Sequence, residues 1–349
     1  MIMYFKCVQF TMLAFVLLSI DKTRIKVDMT MWRFCIDQER YLSKDLNIKY
    51  FDGSTNCDHC NYTVRNQNAN STPRDLILAG STTRVKNINL FIRTLRHTGS
   101  KCTVAFLLDS TAYNILTPEM LEDINQCGGQ VINMGTPEFT EDRDYFSLVY
   151  LWVLYAAKRN SHRFDRIYKC DLFDTYFQGD PFDNLIEPNN FYMIEERPPD
   201  HNPFWQYFNI SRKLNLSVSS KDLMTYACAG IAFGYTDDFI RTLMTYYSIF
   251  YFGSHWDDQH VFNVIKMYGL SVFHHKYQTP NPNFNILRPI EPLRHLWSLR
   301  MDGNIGEITS IYNKSIYATI VHHTHVAPKL QSSMNISCPN HNKNIINYI

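Results

Sequence analysis

Between Leu76 and Met134 short apolar runs alternate with helical stripes, and few architectures accommodate that alternation. Leu76-Ile-Leu-Ala79 reads as a buried strand. Val85, Ile88, Phe91, Ile92 and Leu95 fall on one face of a helix, and Thr103 to Leu108 forms a second strand ending at Asp109. A helix over 117–126 follows, and Gly128-Gly129 turns the chain into a third strand, Gln130 to Met134. Strands separated by helices of this length form parallel βαβ units, so the expected fold is α/β, with a Rossmann-like, mostly parallel central sheet flanked by helices. Ligands of such sheets bind beyond the carboxyl ends of the strands. Neither G-x-G-x-x-G nor G-x-x-x-x-G-K-[ST] occurs, which argues against a dinucleotide dehydrogenase and against a P-loop enzyme.

The next strand runs straight into acidic chemistry. In Arg166-Ile-Tyr-Lys-Cys-Asp171-Leu-Phe-Asp174-Thr-Tyr-Phe-Gln178-Gly-Asp180-Pro-Phe182 an apolar run stops at two carboxylates three residues apart, and Asp-Pro closes a turn. Hard oxygen ligands on one short loop suit Mg²⁺ or Mn²⁺, ions that can bridge the oxygens of a diphosphate. The helix expected before it, 141–158, carries Phe146, Val149, Leu151, Trp152, Val153, Tyr155 and Ala156 on nearly every side and should be buried. Lys169 interrupts the apolar strand, and nothing in the sequence accounts for it.

Downstream, a strand at Phe191 to Ile194 precedes an aromatic stretch, His201 to Phe208, whose rings either stack on a sugar or simply pack. Phe239, Ile240, Leu243, Met244 and Tyr247 form one helical stripe, and Val261, Phe262, Ile265 and Tyr268 another. The second helix opens on Trp256-Asp257-Asp258-Gln259, acidic residues suited to a helix N-terminus. A late strand, Tyr317 to Val321, leads into His322, His323 and His325.

The acidic stretch resembles the metal-binding motif of nucleotide-sugar-dependent glycosyltransferases of the GT-A fold. One eukaryotic branch of these enzymes carries D-x-R-D-x-x-F-Q-x-D-P-F, which Asp171, Asp174, Phe177, Gln178, Asp180, Pro181 and Phe182 match in order, with Phe173 in place of the arginine. The likeness extends over about residues 74–330. Cys228-Ala-Gly230-Ile-Ala-Phe-Gly234 is similar to the family's small-residue turn beside the donor sugar, with Ala229 where serine is usual. The resemblance implies a divalent cation, Mn²⁺ or Mg²⁺, on Asp171, Asp174 and a late-strand histidine, His322. It implies contacts to a nucleoside-diphosphate sugar from Ala79, Gly80, Ser81, Asp109, Arg143, Asp171, Gly230 and Gln259. Asp258 would bind the acceptor or take the proton from its hydroxyl. For Ala79 to Ser81 and Asp109 plain turn chemistry is equally open, as are capping for Asp258 and a surface ion pair for Arg143. His323 and His325, at strand spacing, are the competing metal ligands.

With 34 basic and 33 acidic side chains the formal charge is +1, so no global field draws the chain to nucleic acid, and attraction for an anionic substrate must be local. The apolar run 7–20 suits a signal-peptide core and is short for a membrane span, which needs roughly 17 or more apolar residues. Lys22, Arg24 and Lys26 after it run against a type II anchor orientation, and no clear cleavage site is present, so signal peptide and short anchor both stay open. Six Asn-x-Ser/Thr sequons, at Asn61, Asn70, Asn209, Asn215, Asn313 and Asn335, and eight cysteines beyond Cys7 fit passage through the secretory lumen, with the Golgi or secretion as the destination. Cys57-Asp-His-Cys60 lacks the second pair of a zinc site, which leaves an ordinary disulfide or two unrelated thiols. The expected organisation is a signal or anchor at 1–20, a stem or wrapping segment with linker at 21–72, the catalytic domain at 73–338 and a tail at 339–349.

These readings lead to a metal-dependent transferase moving a sugar to a hydroxyl of a glycan, glycoprotein or glycolipid acceptor. The alternatives are a metal-dependent hydrolase of phosphoesters or sugar nucleotides, and a carbohydrate-binding relative without chemistry, the latter motivated by Phe173 and Ala229.

Overall fold

The computed structural model describes residues 45–58, 60–64, 69–136, 144–182, 186–196, 226–250, 258–268, 286–287, 304–309, 317–322 and 328–338. The signal or anchor segment, Arg143, the aromatic stretch 201–208, His323 and His325 lie outside these residues. Among the described residues no helix is long and apolar enough to cross a membrane.

The alternation of strand and helix builds the expected α/β layers. The central sheet takes β1 (Asp75–Ser81), β2 (Thr103–Asp109), β3 (Gly129–Gly135), β4 (Arg166–Asp171), β6 (Phe191–Glu196) and β7 (Tyr226–Tyr235) in the order β3-β2-β1-β4-β7-β6. The first four strands run parallel, whereas β7 is antiparallel to both β4 and β6. A second, small sheet joins β5 (Thr175–Phe177), β9 (Ile320–His322) and β8 (Ile286–Leu287).

Both faces of the central sheet are covered, which is why its strands read as nearly unbroken apolar runs. Leu76, Leu78, Ala105, Leu107 and Ile167 point to one face and pack with α4 (Asp144–Arg159), α5 (Thr236–Phe250) and α6 (Asp258–Tyr268). Ile77, Ala79, Val104, Phe106 and Tyr168 point to the other and pack with α1 (Ile88–His97), α2 (Ser110–Ile115) and α3 (Pro118–Gln126). The short α2 has no helical stripe and was not anticipated; Asp109 caps it, accepting from Ala112 N at 2.6 Å. A third cluster joins Tyr176, Val321, Ile305 and Ile308 to Leu330 and Met334 of α7 (Pro328–Ser337).

Three expectations are corrected. Phe146, read as buried, is 55% exposed near the start of α4, whereas every residue from Leu148 to Ala157 of the same helix is buried. Cys57 and Cys60 are neither bonded to each other nor free: they form Cys57–Cys127 and Cys60–Cys338. Residues 61–64 and 69–72, read as part of a linker, are held in place. Tyr62 Oη donates to Phe177 O at 2.5 Å, and the buried Ser71 N donates to Asp180 Oδ2 at 2.7 Å.

Candidate active site

The register of the sheet brings the acidic loop to the carboxyl edge of β4. Gly80 pairs with Asp171 across β1 and β4, so the first carboxylate stands where the parallel strands end. The chain then turns, and β5 sends Thr175 opposite His322 in the antiparallel pairing of β5 with β9. That single pairing places a histidine almost one hundred and fifty residues downstream against the acidic loop.

Asp171, Asp174 and His322 each offer a ligand atom, and these atoms all lie within 4.8 Å of one another. His322 Nε2 is 3.8 Å from Asp171 Oδ2, and Nδ1 is 3.3 Å from Asp174 Oδ1. Thr175 Oγ1 lies 3.0 Å from the same Nδ1, which fixes the plane of the ring. His322 and Asp174 are buried, whereas Asp171 keeps about a fifth of its side chain exposed, the side from which a substrate could enter. Two carboxylates with one imidazole make a donor set acceptable to Mn²⁺ and, through the oxygens, to Mg²⁺.

Gly230 shows how closely the cluster is built. A Cβ there would lie 2.0 Å from His322 Nε2 and 2.9 Å from Asp171 Oδ2, so only glycine leaves room for the two ligands to face each other. The backbone is aimed there by an irregularity: β6 pairs Met193 with Ala232 and the next residue, Ile194, with Cys228, so Ala229 to Ile231 bulge out of register. Bulges of this kind re-aim residues beside functional sites.

Lys169 explains how the bulge is satisfied, and it is the site residue that sequence reading left without a role. Ile167, Lys169 and Asp171 share one face of β4. The Lys169 ammonium, 2% exposed as a residue, donates to Asp171 Oδ1 at 2.6 Å and to Ala229 O at 2.9 Å, and sits 4.4 Å over the Tyr150 ring. Tyr150 Oη donates to the same carbonyl. Burial would drive Lys169 toward its neutral form, but the nearby charges of Asp171 and Asp258 outweigh it and hold the amine above the usual lysine range. Burial, followed by the charges of Asp258 and Asp171, pushes the Tyr150 phenol well above its ordinary range. Lys169 thus occupies Asp171 Oδ1 and leaves Oδ2 on the His322 side.

Of the other residues singled out in the sequence, Asp258 belongs to the same electrostatic cluster: it is 8% exposed at the start of α6, and its charge acts on both Lys169 and Tyr150. Its Oδ1 also accepts from Gln259 N at 2.7 Å, and Gln259 O accepts from Asn263 Nδ2 at 2.7 Å. Ala79 and Ser81 at the end of β1 are buried, and a Cβ on Gly80 between them would meet Val149 Cγ1 at 2.5 Å, so Gly80 is packed against α4. Asp109 is occupied by its cap and by Thr83 N at 3.1 Å.

The tail of the motif is structural. Gln178 Nε2 donates to Ile308 O and Ala318 O, and its Oε1 accepts from Gly306 N and Ile308 N, tying the acidic loop to the segment that precedes β9. Asp180 gathers Ser71 N, Ser100 Oγ and Phe182 N, and the Phe182 ring meets Tyr168 edge-on at 4.9 Å. A chain in which these residues hold the loop that carries Asp171 and Asp174 has a physical reason to keep them together.

No family model matches the sequence, and no curated protein matches it. Among solved structures the chain is similar to a glycosyltransferase involved in the glycosylation of the major capsid of PBCV-1. Identity is 12%, 75% of this chain and 98% of that chain are covered, and the TM-score is 0.39.

Proposed function

We propose that this protein is a metal-dependent glycosyltransferase that moves a sugar from a nucleoside-diphosphate sugar to a hydroxyl acceptor on a glycan or glycoconjugate in the secretory lumen. The observation that carries the reading is the convergence of Asp171, Asp174 and His322 at the carboxyl edge of a mostly parallel sheet, with Gly230 clearing the space between them. The resemblance of residues 171–182 to the GT-A metal motif supports the same assignment. So do the disulfides Cys57–Cys127 and Cys60–Cys338 for a lumenal setting.

In this reading Asp171, Asp174 and His322 would hold the cation, which would supply positive charge to offset the negative charge of a diphosphate leaving group. Lys169 fixes the rotamer of Asp171 and adds a positive charge behind it. Thr175 orients the imidazole. Gly230, without a side chain, lets the donor sugar approach the backbone. Asp258 binds the acceptor hydroxyl or receives its proton.

The test is release of nucleoside diphosphate from a panel of sugar nucleotides, with Mn²⁺, with EDTA, and with the Asp174→Asn variant. Release that needs the metal, rises with a glycan acceptor and disappears in the variant is the expected result. Equal release of free sugar without acceptor would indicate a hydrolase. Activity that survives both EDTA and the substitution would remove the assigned role of the cluster.

A further inference from the structure

A concavity that none of Asp171, Asp174 and His322 lines has one of the sequons in its wall. It encloses about 380 Å³, within the range of small-ligand clefts, about 300–1,000 Å³. One wall is Asn61-Tyr-Thr63, the opposite wall is the loop 304–307, and α7 supplies Ser333 and Ile336. Both walls are anchored. Cys60–Cys338 and the bond from Asn61 N to Ser337 O at 2.5 Å tie the sequon to α7, and Ser333 Oγ accepts from Ile305 N at 2.7 Å. Gly306, at φ +85°, brings its backbone against Tyr62 and Thr63, where a Cβ would lie 3.0 Å from Tyr62 Cδ2.

The lining is mixed in a way that suits a sugar. Asn304, Glu307 and Ser333 offer polar groups, while Ile336 is 76% exposed, an apolar side chain left in water beside an anchored groove. Pyranose rings present hydroxyls at their edge and C–H groups on their face, the chemistry that such a lining complements.

We propose that Asn61 carries an N-linked glycan and that its first N-acetylglucosamine lies in this groove, covering Ile336. Attachment forms a C–N bond between Asn61 Nδ2 and the anomeric carbon of the sugar. It breaks the bond from that carbon to the diphosphate of a lipid-linked oligosaccharide and releases the amide proton. Asn335, the neighbouring sequon, lies within α7, whereas Asn61 is on the wall of the groove itself. The proposal does not depend on the sugar-transfer reading.

The full chain is expressed in secretory cells restricted to high-mannose glycans, and site occupancy is read by peptide mass spectrometry. One portion is then trimmed with endoglycosidase H, which leaves a single N-acetylglucosamine, and another with peptide N-glycosidase F, which leaves none. The expected result is occupancy at Asn61, an unchanged Tm after the first enzyme, and a Tm several degrees lower after the second and in Thr63→Ala, which keeps Asn61 but destroys the sequon. Ile336→Ala should narrow the difference between the two trimmed forms. An unmodified Asn61 in the secreted chain, occupancy of Asn335 in its place, or equal melting of the two trimmed forms overturns the proposal.

Discussion

Lys169 Nζ lies 2.6 Å from Asp171 Oδ1, two residues along the same face of β4, so one oxygen of the carboxylate is committed to the ammonium while the other faces His322. The pair is buried on the lysine side, and Ala229 O completes the ammonium's surroundings. Removing one partner of such a pair leaves the other desolvated and uncompensated, which typically costs about 3–5 kcal/mol.

Lys169→Met should therefore lower unfolding stability by about 3–5 kcal/mol in urea titrations. Lys169→Arg should fall between the variant and the wild type, because the charge survives and the geometry does not. A neutral outcome for the methionine would mean that the ion pair is worth no more than a well-packed apolar side chain.

Gly230→Ala tests the space between the ligands. Its methyl group would occupy the position 2.0 Å from His322 Nε2, and displacing a ligand by even a fraction of that distance should weaken Mn²⁺ binding by about 10–100-fold, as loss of a supporting group does at other metal sites. Isothermal titration of wild type and variant checks this, with far-ultraviolet circular dichroism to establish that the sheet is retained.

Asp180 provides a pH signature. Its burial outweighs the hydrogen bonds from Ser71, Phe182 and Ser100 and raises the carboxyl above the ordinary aspartate range. A raised acid is protonated more readily in the folded chain, so its penalty on stability is present at neutral pH and fades as pH falls through the folded pKa toward the unfolded value, about 3.9. The stability of the wild type relative to Asp180→Asn should rise over that interval and stay level above it, as measured by chemical unfolding at a series of pH values.

Cys60–Cys338 spans 278 residues and joins the segment before β1 to the end of α7. Cys338→Ser should lower stability by about 2–5 kcal/mol, since the bridge limits a long loop in the unfolded chain. Thermal unfolding before and after reduction, compared with the variant, gives the measurement.

Much of this architecture is legible in the sequence because its signals are local. The strands from Leu76, Thr103 and Gln130, the stripes of α1, α5 and α6, and the acidic loop after Cys170 all follow from periodicity and turn residues. What escapes is what depends on pairing across long distances. Nothing local shows that Lys169 would find Ala229 O on a bulged antiparallel strand, or that Cys60 would bond to Cys338 and not to Cys57. Phe146 misleads because a helix that is apolar all round reads as buried all round, whereas α4 leaves this one ring exposed while Ser147 and Leu148 beside it are buried. His322 stands beside two other histidines in the sequence, and its register opposite Thr175 is what sets it against the acidic loop.

The most direct test of the account is anomalous diffraction from crystals soaked in Mn²⁺. One manganese peak is expected, bonded to a carboxylate oxygen of Asp171, a carboxylate oxygen of Asp174 and a ring nitrogen of His322, and absent from Asp174→Asn crystals treated alike. Saturating Mn²⁺ that leaves those three side chains without a peak, or that binds elsewhere while they remain as they are, would contradict it.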